Sequence, residues 1–199
     1  LYLISALFDN ARPDFAALKG DKLAAAKKAW EEEKDYEVVD ELPFWFNGRG
    51  FINKKRNRIY LYNAKKKKLQ ALTEPLFDVG GVKFCSKCGK VAYTGHTFNA
   101  RRAQSSALYL YDVETGETSC LVEDGTYSIG NFCFDNAHGE IVFSADPIKD
   151  GYPAPGNNLY AVSLKGGKVE AVYEGIPEEL GCTTGCDVRY GGGNSIKAV

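Results

Sequence analysis

Residues 107–124 read ALYLYDVETGETSCLVED. Leu108, Leu110 and Val113 are apolar and Tyr109 and Tyr111 aromatic; Glu114-Thr115-Gly116-Glu117 breaks the run, and Thr118–Val122 resumes it. A short aromatic and β-branched run, a turn carrying glycine, and a second such run predict a β-hairpin. The first strand is apolar on both faces, which suits a strand covered on both sides.

The hairpin recurs. Arg58–Ala64 (RIYLYNA) leads through Lys65–Lys68 into Leu69–Thr73, and Asn158–Ser163 (NLYAVS) leads through Leu164–Lys168 into Val169–Tyr173. The equivalent positions Ile59, Leu108 and Leu159 are 49 and 51 residues apart. A second element keeps the same period: FCSKCGKVAYT from Phe84 precedes the middle hairpin, FCFDNAHGEIVF from Phe132 precedes the next, and Gly89 and Gly139 lie 50 apart. Self-similarity at about 50 residues, with four strands (A to D) per unit, is the signature of β-propeller blades. The expected fold is all-β: a partial β-propeller of about three four-stranded antiparallel blades with one helical insertion. The blades are expected at 1–73 (with an insertion at 9–57), 77–124 and 125–173, with a partial blade at 182–199. In this scheme Leu1–Phe8 is a strand B, and Cys186–Tyr190 and Ser195–Val199 are strands A and B of the last blade.

Within the insertion, Asp21–Lys34 reads as a helix, with Asp21 as its cap and Leu23, Ala26 and Trp30 on one packing face. Tyr36, Val38 and Val39 suggest a strand, interrupted at Pro43, and Asn47-Gly48 supplies a turn. Phe44, Trp45 and Phe46 are too apolar to be left in water, and either seal the insertion or line a pocket.

At 199 residues and 44% hydrophobic, the chain is one domain's worth with enough apolar material for a core. A net charge of −1 offers no field to recruit nucleic acid or an anionic membrane. No apolar run approaches the roughly 18–20 residues that span a bilayer. Leu1 is not a translation start, so the sequence reads as a piece of a longer protein. Six cysteines are too few for a disulfide-dense scaffold, and free thiols in a reducing cytoplasm are the favoured reading. Cys85-Ser-Lys-Cys88 and Cys182-Thr-Thr-Gly-Cys186 fall in different blades, so no tetrahedral zinc site, no metal and no cofactor are expected.

The stretch VVDELPFWFNGRGFINKKRNRIYLYN, running into LQALTEPLFDV, resembles the propeller domain of the prolyl oligopeptidase superfamily of serine peptidases, in its acylaminoacyl-peptidase-like branch. The residues that carry it are Val39, Leu42, Pro43, Phe44, Phe46, Asn47, Gly48, Gly50 and Phe51. The likeness covers nearly the whole chain and is most specific over 36–73; the A–B turns fit loosely, with Cys88 where Asp is common. The resemblance implies a non-catalytic module that gates peptide access and docks on an α/β-hydrolase domain of the same parent, with short peptides as substrates. The alternative is a stand-alone propeller, a binding or scaffold module with no enzymatic partner domain.

This chain holds no nucleophile elbow. The nearest string, Thr126-Tyr-Ser128-Ile-Gly130, lacks the first glycine and leads into a strand; neither His96 nor His138 has an evident nucleophile and acid beside it. The chain alone is expected to be inactive. Its A–B and C–D turns are short, whereas its B–C connections (9–57, 96–106 and 146–157) are long, and insertions at one point of each repeat build a binding face. The candidate binding residues are therefore Trp45, Arg49, His96, Arg101, Arg102 and Tyr152, with Arg101 and Arg102 suited either to a peptide carboxylate or an acidic neighbour, or simply to pairing with carboxylates of the rim.

Overall fold

The computed structural model describes residues 1–154, 156, 158–174 and 196–198. It divides into two compact units: Leu1–Asp78 with Thr97–Arg102, and Val79–His96 with the chain from Ala103 onward. Among the described residues the fold is all-β apart from one short helix, built of antiparallel meander sheets of the blade type.

In the first unit, β1 (Tyr2–Asp9), β4 (Lys55–Asn63) and β5 (Lys68–Ala71) form a sheet in the order β1-β4-β5. The β1–β4 register runs unbroken from Tyr2↔Tyr62 to Asp9↔Lys55. Alternation puts Ile59 and Leu61 on one face of β4 and Arg56 and Arg58 on the other, and all four are buried. The Arg58 guanidinium lies 5.0 Å over the Phe8 ring and 5.4 Å over that of Tyr60, and it donates to the Thr73 carbonyl.

The helix α1 covers Gly20–Glu32. Leu23, Ala26 and Trp30 are its half-buried stripe, as their spacing requires. Asp21 does not cap it: Lys19 is the N-cap, without a side-chain cap bond, and Asp21 sits in the first turn, where a carboxylate favours the positive end of the helix dipole. The strand expected at Tyr36–Val39 is also absent. This segment pairs with no ladder and is held by a side chain instead, Asn53 Nδ2 donating to the Val38 carbonyl at 2.7 Å.

The second unit takes in most of the sheet β6-β7-β8-β9: Phe77–Cys85, Lys90–Thr97, Ala107–Asp112 and Thr118–Val122. It also holds the sheet β10-β11-β13-β14: Tyr127–Asp135, Glu140–Lys149, Asn158–Ser163 and Glu170–Tyr173, with the short β12 (Tyr152–Pro153) on β11. These sheets share one core. Leu108 and Leu110 from β8, Phe132 from β10, Ile141 and Phe143 from β11, and Val162 from β13 belong to it, each at most 3% exposed. On β8, Ala107, Leu108, Leu110 and Tyr111 are all buried, so the strand is covered on both faces.

The register makes the repeat concrete. Ile59 pairs with Ser5, Leu108 with Thr94 and Leu159 with Ser144, in each case a strand C residue opposite a hydroxyl-bearing strand B residue. The A–B turns correspond too. Val113 N–H donates to the Gly89 carbonyl and Leu164 N–H to the Gly139 carbonyl, both at 3.0 Å. Gly89 and Gly139 have φ of 64° and 70°, the left-handed conformation that a turn glycine supplies without strain.

One expectation for the cysteines is corrected. Cys85 and Cys88 are paired as a disulfide, Cα–Cα 5.5 Å, and are not free thiols. The reason is local: the turn ending at Gly89 brings its first and fourth residues together, and Cys88 N–H donates to Cys85 Sγ at 3.1 Å. In the next blade the same two positions hold Asp135 and His138, which pair at 2.7 Å. Cys120 and Cys133 are free. Cys182, Cys186 and the partial blade proposed for 182–199 lie outside the described residues, except for 196–198. Among the described residues no helix is long and apolar enough to cross a membrane.

Candidate functional site

The insertion of the first unit ends in a short hairpin. Asn47, Gly48 and Arg49 turn the chain between β2 (Trp45–Phe46) and β3 (Gly50–Phe51), with Gly48 at φ 75° and Gly50 at φ 70°. The Trp45 and Phe51 rings meet edge to face at 5.1 Å. The hairpin is closed by Arg49 N–H to the Phe46 carbonyl at 3.1 Å and Ile52 N–H to the Phe44 carbonyl at 2.8 Å.

A buried ion pair ties the insertion to β4. Glu41 is 2% exposed and Arg56 is fully buried; Arg56 Nη2 donates to Glu41 Oε1 at 2.7 Å and to the Phe98 carbonyl at 3.0 Å. The guanidinium lies 3.6 Å over the Phe98 ring. Lys54 completes the cluster, its N–H donating to Glu41 Oε2 at 2.9 Å and its ammonium lying 3.2 Å from Glu41 and 3.0 Å from Asp40. Burial pushes the Glu41 carboxyl up, but Arg56 and the Lys54 donors outweigh it and hold the pKa below the usual glutamate value. Burial likewise opposes a charged Lys54, yet Asp40 and Glu41 together raise its pKa. Every charge here is matched, so the cluster is an anchor with no free valence for chemistry.

The same unit holds a cavity of about 410 Å³, whose lining includes Lys55 and Asn57, the neighbours of Arg56 on β4. Phe46, Phe51 and Ile52 give it apolar walls, and Leu7 comes from β1. Its polar groups are Arg49, Lys55, Arg102, Asn57 and Asp78. The Asp78 carboxylate is engaged: Oδ1 accepts the Asn57 N–H at 2.8 Å, and Oδ2 lies 3.7 Å from Arg102 Nη2. Lys55 Nζ donates to the Phe51 carbonyl at 2.9 Å. Arg102 is fixed through its backbone, its N–H donating to the Leu42 carbonyl at 2.8 Å. Three cationic side chains thus face one carboxylate across apolar walls, an arrangement that can hold an anionic group attached to an apolar one.

Of the six residues singled out in the sequence, Arg49 and Arg102 line this cavity. Trp45 is not among its lining residues and packs, half exposed, against the Phe51 ring. Arg101 is exposed and forms an isolated bridge with Leu42. In the second unit, His96 is buried in β7 and Tyr152 is exposed on β12, opposite Lys149. Sequence reading missed Lys55, Asn57 and Asp78. Lys55 stands in the basic run Lys54-Lys55-Arg56, where nothing tells a cavity residue from a solvated one. Among the described residues no group of three or more His, Cys, Asp or Glu side chains converges as a metal site would.

No family model matches this chain, and no curated protein matches it. Solved structures do resemble it. An acylaminoacyl peptidase from Pyrococcus horikoshii aligns over 85% of this chain and 22% of its own length, at 16% identity and a TM-score of 0.50. A putative TolB from Agrobacterium tumefaciens aligns over 59% of this chain and 41% of its own, at 12% identity and a TM-score of 0.42. The chain therefore spans well under half of either structure. At such identity the peptidase comparison establishes a propeller-like fold and nothing about activity.

Proposed function

We propose that this chain is the non-catalytic propeller part of a serine oligopeptidase of the acylaminoacyl-peptidase type, gating short peptides and docking on an α/β-hydrolase domain of the same polypeptide in the cytoplasm. One observation carries the reading. The stretch whose residues resemble that family, Val39–Phe51, forms a clamped hairpin that contributes Phe46, Arg49 and Phe51 to the cavity. A peptide gate needs such a place, where a charged terminus and an apolar side chain are met together. The peptidase likeness at the level of fold is compatible with this role.

The test uses the full-length parent. Replacing Arg101 and Arg102 by Ala changes KM for short peptides or weakens the contact between domains, and replacing Lys66 and Lys67 in the β4–β5 turn does neither. Equal effects from the two pairs contradict the reading.

A further inference from the structure

The lining of the first unit's cavity is more specific than a general peptide gate requires. Arg49, Lys55 and Arg102 supply three positive charges against the single carboxylate of Asp78. The imbalance is local, because the chain as a whole carries −1. Asp78 is already taken up by the Asn57 N–H and by Arg102. Lys55 uses one of its three N–H donors on the Phe51 carbonyl. Arg49, in the β2–β3 turn, lines the cavity and makes no ion pair among the described residues. Its planar guanidinium matches a carboxylate through two parallel hydrogen bonds. Directly beside these cations stand the rings of Phe46 and Phe51, left 40% and 42% exposed. A volume of about 410 Å³ lies within the roughly 300–1,000 Å³ of small-ligand pockets and suits a group of one or two residues.

We infer that this cavity is a binding site for a carboxylate carried next to an apolar or aromatic group, the C-terminal end of a peptide with an apolar last residue. The carboxylate meets Arg49, with Lys55 and Arg102 supplying further positive charge, and the last side chain lies against Phe46 and Phe51. The choice of a peptide as the source rests on the function proposed above; the recognition chemistry does not. The free ligand's own carboxylate stays charged above about pH 4.

Isothermal titration with three probes tests this: N-acetyl-Ala-Phe with a free carboxylate, the same dipeptide as its C-terminal amide, and 3-phenylpropanoate. The free acid is expected to bind at least tenfold more tightly than the amide, and more weakly as salt is raised. Arg49→Gln is expected to remove that preference with the thermal unfolding midpoint unchanged, since Arg49 pairs with no carboxylate among the described residues. Lys66→Gln, in the β4–β5 turn, leaves it intact. Equal binding of acid and amide, no binding of either, or an unchanged preference in Arg49→Gln overturns the inference. Binding of 3-phenylpropanoate as tight as that of the peptide acid overturns the peptide as source and upholds the carboxylate site. If the acid binds with Arg49-dependent preference while the parent proves to be no peptidase, the site stands and the proposed function falls.

Discussion

At the scale of single residues, the molecule depends on paired side chains that close short stretches of backbone. Glu41 joins Lys54 and Arg56, which lie 13 and 15 residues further on, and so ties the later part of the insertion to the strand that follows it. Removing one partner of a buried ion pair leaves the other unmatched in a place water does not reach. Glu41→Ala is therefore expected to destabilise the fold by about 3–5 kcal/mol in urea unfolding, whereas Lys66→Ala stays within about 0.5 kcal/mol. The Glu41 carboxyl is held below its ordinary value, so its contribution is complete above about pH 4.3 and is lost as pH falls through the folded-state pKa. His138 has the opposite sign. The hydrogen bond to Asp135 raises its pKa, so the pair is fully formed below about pH 6.5 and lost as pH rises through the folded value. NMR titration should place the His138 imidazole above 6.5, and Asp135→Asn should return it towards the ordinary value. None of these pairs was legible in the sequence, because a lone glutamate in DELPF has no period and its partners stand beyond a turn of unknown shape. The Cys85–Cys88 pair was hidden for the related reason that turn geometry decides which thiols meet.

At the scale of elements, much more was readable. Strand C was legible in all three repeats because aromatic and aliphatic residues alternate there at period two and recur at about 50 residues. The matching registers of Ile59, Leu108 and Leu159 follow from that alternation. Leu108 is fully buried between its neighbours, and Leu108→Ala should cost about 2–5 kcal/mol, read as a lowered urea midpoint. The β2–β3 hairpin depends instead on backbone conformation. Gly48 has φ 75° and open space around it, so a methyl group there meets no neighbour and the cost is in the backbone alone. Gly48→Ala should therefore lower stability by about 1–2 kcal/mol and weaken ligand binding in the cavity, because the same turn carries Arg49. The misread elements had weak local signals. Tyr36–Val39 has strand-like composition but no neighbour to pair with, and composition cannot show a missing partner. The N-cap is Lys19, two residues before the expected Asp21, a difference within the usual uncertainty of helix ends.

At the scale of the whole molecule, an all-β, blade-type architecture was evident from the repeat, while the cavity was only half evident. The sequence pointed to Arg49 and Arg102 through their place in long connections, but not to Asp78, which lies at the start of a strand outside any such connection. The central claim is a division of labour: this chain meets the peptide and another domain cuts it. Serine-peptidase chemistry needs a nucleophile on a strained turn, a histidine within hydrogen-bond reach, an orienting carboxylate and an oxyanion hole. Here Ser128 lies within a strand of the second unit, His96 is buried in another, and His138 is engaged with Asp135. Covalent labelling with an active-site-directed fluorophosphonate is the most direct measurement. Stoichiometric labelling of the full-length parent is expected at a serine outside residues 1–199, with none in this chain; stoichiometric labelling of any serine within residues 1–199, or no labelling of the parent, would contradict the division of labour.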